Sequence, residues 1–148
     1  SYTKYTPGDA LEASDDAARQ ILKGDWRIPT TEIWAALYGA NTKTVYWGPN
    51  NGDKTLETIS GIQGMKITKK DDSKTYIFLP AAGNVWVTSF ENVGSSGRYW
   101  SGTTASLNKN ADYLHFGDVN LNAQDKGSRN QGFPVRPVRL VEVSQSQQ

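Results

Sequence analysis

Histidine and cysteine, the side chains most readily set to acid–base and nucleophilic work near neutral pH, number one and none in this chain. Its single histidine, His115, stands close to Tyr113 and Asp112. A catalytic histidine needs a nucleophile and an orienting carboxylate brought to it in space. No serine elbow marks such a nucleophile, so His115 is expected on a surface. Asp and Glu total 15, so carboxylates suited to glycoside hydrolysis exist by type. They are spread over turns and helix faces, which gives no pair priority. Asn50, Asn51 and Asp53 could offer oxygens to calcium, as could Asp71 and Asp72. Neither cluster has enough carboxylates at a recognised spacing, and both read as solvated turns. With no Cys and one His, disulfides, thiol nucleophiles, thiolate zinc and multi-histidine metal sites are excluded. No catalytic residue, cofactor or metal is expected.

The charge balance narrows the partners. Lys+Arg 16 against Asp+Glu 15 leaves a net charge of +1, which gives no footprint for nucleic acid or an anionic membrane. No run approaches the roughly 20 apolar residues that span a bilayer. The chain opens Ser-Tyr-Thr-Lys, without Met or an apolar signal core, which reads as a mature or excised piece of a longer protein. Its 148 residues suit one domain, taken as 1–143 with a flexible polar tail at 144–148.

The elements that must position any site follow from local pattern. Thr6-Pro7-Gly8-Asp9 resembles a helix start, and the run to Lys23 is helical by composition. Leu11, Ala18, Ile21 and Leu22 form its apolar face, and Gly24 ends it. Pro29 holds Ile28 extended. Thr30 or Thr31 then caps a second helix over 32–38, with Ile33, Trp34 and Leu37 inward. Residues 40–60 read as loop. Strands are predicted over 62–68 and 75–79 around a charged turn, and over 85–87 and 98–101. From Ala111, Leu114, Phe116, Val119 and Leu121 alternate with Tyr113, His115, Asn120 and Asn122, the second set outward. A last strand over 133–143 is interrupted by Pro134 and Pro137. Helices first and strands afterwards spell α+β. Trp26, Trp34, Trp86 and Trp100 are expected in the core. Trp47 adjoins a loop-like Gly-Pro-Asn-Asn-Gly, where an exposed ring would stack on a sugar, though core packing is favoured. Arg136 and Arg139 are read as structural ion pairs with the helices.

Four ordered pieces carry a resemblance: Gly24-Asp25-Trp26-Arg27-Ile28-Pro29-Thr30, Ile77-Phe78-Leu79-Pro80-Ala81-Ala82-Gly83, Gly97-Arg98-Tyr99-Trp100-Ser101-Gly102-Thr103 and Gly132-Phe133-Pro134-Val135-Arg136-Pro137-Val138. Together, over roughly residues 10–141, the chain resembles the C-type-lectin-like domains of gut Bacteroidales proteins, the Fibrobacter succinogenes major paralogous type. The resemblance implies two N-terminal helices packed on short, irregular antiparallel sheets. Two details depart from the family pattern: Ile33 stands where an acid is usual, with Glu32 one position earlier, and Trp100-Ser101-Gly102 replaces Trp-Ser-Ser. The Glu-Pro-Asn or Gln-Pro-Asp tripeptide, the Trp-Asn-Asp and the disulfides of calcium-dependent lectins are missing. Calcium-mediated sugar binding is therefore not implied. The formylglycine-generating relatives of the fold use active-site cysteines, which this chain lacks.

Some members of the fold are variable proteins of diversity-generating retroelements, in which adenine-directed mutagenesis rewrites surface codons. Residues 101–131 are similar to such a region, and five of the ten Asn fall between Asn108 and Asn130. Changes at the adenines of an AAC codon reach the residue types at Asn108, Asn110, Tyr113, His115, Gly117, Asn120, Asn122, Ser128 and Asn130; Lys109, Lys126 and Gln131 fall outside that set. Other members are adhesion domains of cell surfaces or pilus tips.

Adaptable polar groups with a few rigid aromatics make a binding face. The expected set is Tyr99, Ser106, Asn108, Asn110, Tyr113, His115, Asn120, Asn122, Asp125, Ser128 and Asn130. The same Asn, Gly and Asp content is also what plain surface turns require. The expectation is a non-enzymatic, adhesin-like recognition domain, exported to the cell surface or beyond, binding a protein or glycan on a cell or phage. The alternatives are a structural or pilus-tip module and a carboxylate-based hydrolase.

Overall fold

The structure is a computed structural model. It describes residues 4–37, 45–47, 56–69, 72–105, 109–117, 121–139 and 141. The first helix is shorter than its composition predicts: α1 spans Ala17–Leu22. Its cap is Asp16, whose Oδ1 accepts from the N–H groups of Ala18 and Arg19 at 2.9 and 3.2 Å. Residues 8–11 are held by a distant strand instead. Gly8 N–H donates to Thr104 O, Leu11 N–H to Gly102 O and Thr104 N–H to Asp9 O. The predicted apolar face dissolves accordingly. Ala18 is buried, while Ile21 and Leu22 are exposed. Gly24 does follow the helix, in the left-handed region at φ 59°.

After β1 (Trp26–Arg27), α2 spans Thr31–Leu37. Thr30 caps it, its Oγ1 accepting from Ile33 N–H at 3.3 Å, and Trp34 points into the core. One antiparallel sheet is centred on β4 (Ile62–Lys69), which pairs with β5 (Asp72–Pro80) on one edge. On its other edge lie β2 (Val45–Trp47) and β3 (Glu57–Ile59). Both fall where loop was expected. β6 (Asn84–Trp86) and β7 (Ser89–Glu91) form a hairpin. Trp86 is exposed there, not a core residue.

A second antiparallel sheet joins β8 (Gly97–Thr104), β9 (Asn110–Phe116) and β10 (Leu121–Ser128) in the order β10-β9-β8. The last strand among the described residues is only β11 (Val138–Arg139), paired with β1. The two prolines confine it. Among the described residues Arg136 and Arg139 form no ion pair with a helix; Arg139 lies 5.5 Å over the Trp26 ring. The architecture is mixed α+β, mostly small antiparallel sheets with few helices.

The core gathers Trp34, Met65, Ile67, Leu79, Ala81, Tyr99, Leu114 and Phe116. Each large member contributes about 1.5–3 kcal/mol by leaving water. The four motif segments hold one another around this core. Gly102 N–H donates to Pro29 O, Trp100 N–H to Pro134 O and Gly83 N–H to Ser96 O. Arg27 pairs with Val138, and Tyr99 Oη donates to Pro80 O at 2.8 Å. At Gly97 an added Cβ would overlap the Phe116 ring, so glycine is required there by close approach.

Candidate functional site

Strand alternation gives the β8-β9-β10 sheet two faces. Gly97 and Tyr99 of β8, with Leu114 and Phe116 of β9, face the core. Arg98, Trp100, Tyr113 and His115 face the other way, where register pairs Arg98 with His115 and Trp100 with Tyr113. From β10, Asn122 lies opposite His115 and Asp125 opposite Tyr113, on either side of a bulge. This outer face carries the candidate site.

The face is partly roofed. Phe133 packs on Trp100 with ring centroids 4.1 Å apart and on Tyr113 at 4.7 Å. Tyr113 is therefore only 7% exposed. It lies on the face that alternation predicts, but as a floor residue and not as an outward aromatic. Tyr99 requires a firmer correction. It is 4% exposed, stacks on Phe116 and belongs to the core, so it contacts nothing on the outer face.

The remaining expected residues separate into two ends. At one end His115 Nδ1 lies 3.3 Å from Asp125 Oδ2, beside exposed Asn122. At the other end Asn110 and its register partner Ser128 share the parity of Asp112 and Leu114 and so belong to the opposite, core-side face of the sheet, while exposed Asn130 follows in the turn. Arg129 Nε donates to Asn110 O at 2.8 Å and fixes this end. Ser106, Asn108 and Asn120 lie outside the described residues.

Arg98, Gln131 and Phe133 complete the face and were absent from the expected set. Arg98 Nη1 donates to Gln131 Oε1 at 3.5 Å, and its guanidinium lies 5.9 Å from the Phe133 ring centroid. The parity of Arg98 with Trp100 was the available sequence signal. Its pairing with His115 depends on register, which sequence does not give.

The electrostatics follow from burial and two charges. Burial, then the Arg98 charge, pushes His115 below the ordinary imidazole range, and Asp125 opposes this. Burial, then the Asp125 charge, raises the Tyr113 phenol, and Arg98 opposes this. Burial pushes Tyr99 up to about 12. His115 and Asp125 thus stand 3.3 Å apart with the imidazole held toward its neutral form.

A cleft of about 240 Å³ lies further along the sheet, between Trp100, Ser101, Thr104, Leu11, Ile28 and Arg129. Its hydroxyls are already engaged: Ser101 Oγ donates to Pro29 O and Thr104 Oγ1 to Thr6 O. It reads as the seam where the N-terminal segment meets β8. Among the described residues no helix is long and apolar enough to cross a membrane, and no three His, Asp or Glu side chains gather as a metal site. No family model matches the chain, and no curated protein or solved structure matches it.

Proposed function

We propose that this chain is a non-enzymatic, adhesin-like recognition domain of C-type-lectin-like fold. It is exported to the cell surface or beyond and binds a protein or glycan on a cell or phage through the outer face of the β8-β9-β10 sheet. One observation carries this reading. Of the expected polar groups, His115, Asn122 and Asp125 stand on the outer face of strands whose opposite face anchors the core through Leu114 and Phe116, and exposed Asn130 follows in the turn after β10. Side chains on such a face can vary without repacking the interior. That separation is what the variable protein of a diversity-generating retroelement needs, and the composition of residues 101–131 supports the same reading.

The test is a variant with Asn122, Asp125 and Asn130 all changed to Ala. The labelled domain is applied to a glycan array and to bacterial and phage surfaces. Binding by the native chain that is lost in the variant, at unchanged melting temperature, supports the reading. Retention of all binding, or collapse of folding, counts against it. Coding DNA containing a near-copy of the codons for residues 101–137, differing only at adenines and beside a reverse transcriptase gene, would establish the variable-protein form.

The hairpin favours a second reading, that of a structural or pilus-tip module. Phe90 is 80% and Val87 79% exposed. Val85 uses both peptide groups on Gly132, so Phe90, its register partner, turns its own N–H and C=O away from β6. An open edge of that kind invites strand addition. Light scattering of the native chain and of Phe90→Ser separates the readings: assembly lost in the variant would favour the module.

A further inference from the structure

We propose that the Arg98 end of the outer face is a carboxylate-recognition site, with the guanidinium as charged anchor and Gln131 and Asn122 as neutral hydrogen-bonding neighbours. This rests on the binding-face reading above and names the chemistry of its ligand.

Among the described residues the charge of Arg98 meets no carboxylate. Arg98 is half-buried, and its Nε has no accessible surface and no hydrogen-bond partner. Among the described residues its side chain makes one hydrogen bond, to Gln131, long at 3.5 Å. No carboxylate lies within 4.0 Å of it among the described residues, whereas exposed Lys4 holds Glu12 and Asp15 at 2.8 and 2.7 Å. The carboxylate on this face, Asp125, is engaged elsewhere. Its Oδ2 meets His115 and its Oδ1 accepts from Lys126 N–H at 2.9 Å.

A half-buried cation with unmet donors raises the free energy of the unliganded protein. The Nε has no accessible surface, so an incoming anion meets the two Nη groups and offsets the charge there, which makes the site selective for charge. The planar fork of a guanidinium matches a carboxylate through two parallel hydrogen bonds. A dianionic phosphate suits the site less well, because one arginine faces it and the negative charge of Asp125 lies close by. The carboxylate can come from an acidic sugar or from an acidic side chain of a protein, which share this chemistry.

His115 supplies an internal reporter, since it is the chain's one histidine. It is faced by Arg98 from β8, by Asp125 and Asn122 from β10 and by Tyr113 on its own strand. A carboxylate seated on Arg98 neutralises the cation that disfavours imidazolium, so the His115 midpoint rises by about 0.5 pH unit.

The experiment follows the His115 imidazole of the full chain by NMR against pH. Separate titrations use glucuronic acid, N-acetylneuraminic acid, N-acetylglutamate amide, glucose and inorganic phosphate. Saturable binding of at least one carboxylate, with the upward shift and no response to glucose, is expected. The sugar acids and the amino-acid derivative distinguish the two sources. Arg98→Gln should abolish binding and raise the midpoint without ligand. Arg98→Lys, which keeps the charge but loses the fork, should weaken binding about tenfold and serves if Arg98→Gln does not fold. Carboxylates that leave the imidazole unmoved, equal binding to Arg98→Gln, or phosphate binding as tight as carboxylate would overturn the proposal. If carboxylates fail while the native chain still binds surfaces through Asn122, Asp125 and Asn130, the carboxylate assignment falls and the recognition reading stands.

Discussion

Asp16 is the side chain whose removal tests the N-terminal architecture most directly. It is 2% exposed and accepts three backbone N–H groups. Two of them, from Ala18 and Arg19, begin α1, and the third, from Ile28 at 2.9 Å, lies beyond β1. Losing an N-cap costs about 0.5–2 kcal/mol, and leaving the buried Ile28 N–H unpaired costs about 1–3 kcal/mol. Asp16→Ala should therefore destabilise by about 3 kcal/mol. A domain of this size loses roughly 2–4 °C per kcal/mol, so the melting temperature should fall by about 6–12 °C. Asp16→Ser restores the cap but cannot reach Ile28, and should recover about 1 kcal/mol of the loss. Asp16→Asn turns an amide N–H₂ toward one set of donors and should also be substantially less stable than the native chain. Urea unfolding followed by tryptophan fluorescence measures all three. If Asp16→Asn matched the native stability within about 0.5 kcal/mol, the claim that both carboxylate oxygens are structurally committed would be wrong.

Three further outcomes are expected. Gly97→Ala forces a methyl into the Phe116 ring and should cost at least about 1–3 kcal/mol in urea unfolding, with partial rescue by adding Phe116→Leu. Phe133→Ala should cost about 3–5 kcal/mol; ultraviolet titration should show the uncovered Tyr113 phenol ionising at lower pH than in the native chain. The His115 contribution to stability is present above the ordinary imidazole pKa of about 6.5 and is lost as pH falls through the depressed folded value. Unfolding should therefore become easier between neutral and mildly acid pH, and His115→Gln should reduce that slope; an unchanged slope would contradict the burial argument.

What could be read from sequence was whatever neighbouring residues decide. Thr30, Trp34 and Leu37 marked α2, and the alternation through Leu114 and Phe116 identified the core face of β9. The failures arise where distant chain intervenes. Thr6-Pro7-Gly8-Asp9 has the local chemistry of a helix start, yet β8 captures the peptide groups of Gly8 and Leu11. Tyr113 obeys the alternation, yet Phe133 arrives from twenty residues later to cover it. Tyr99 stands one position from Arg98 and Trp100, and the pleat alone sends it inward. Arg98 became visible as a candidate only once register placed it against His115.

The capture of residues 8–11 by β8 also governs the order in which this chain can acquire structure during synthesis. Thr104 Oγ1 closes onto Thr6 O across 98 positions, and Pro29 O waits for Gly102 N–H. A ribosome has therefore passed Thr104 before Gly8, Leu11 and Pro29 can find their partners on β8. Until then those residues remain open to chaperones and proteases, and the long closure slows folding. A nascent chain stalled ahead of Gly102 should be cut freely near its amino terminus, and one released beyond Arg139 should resist.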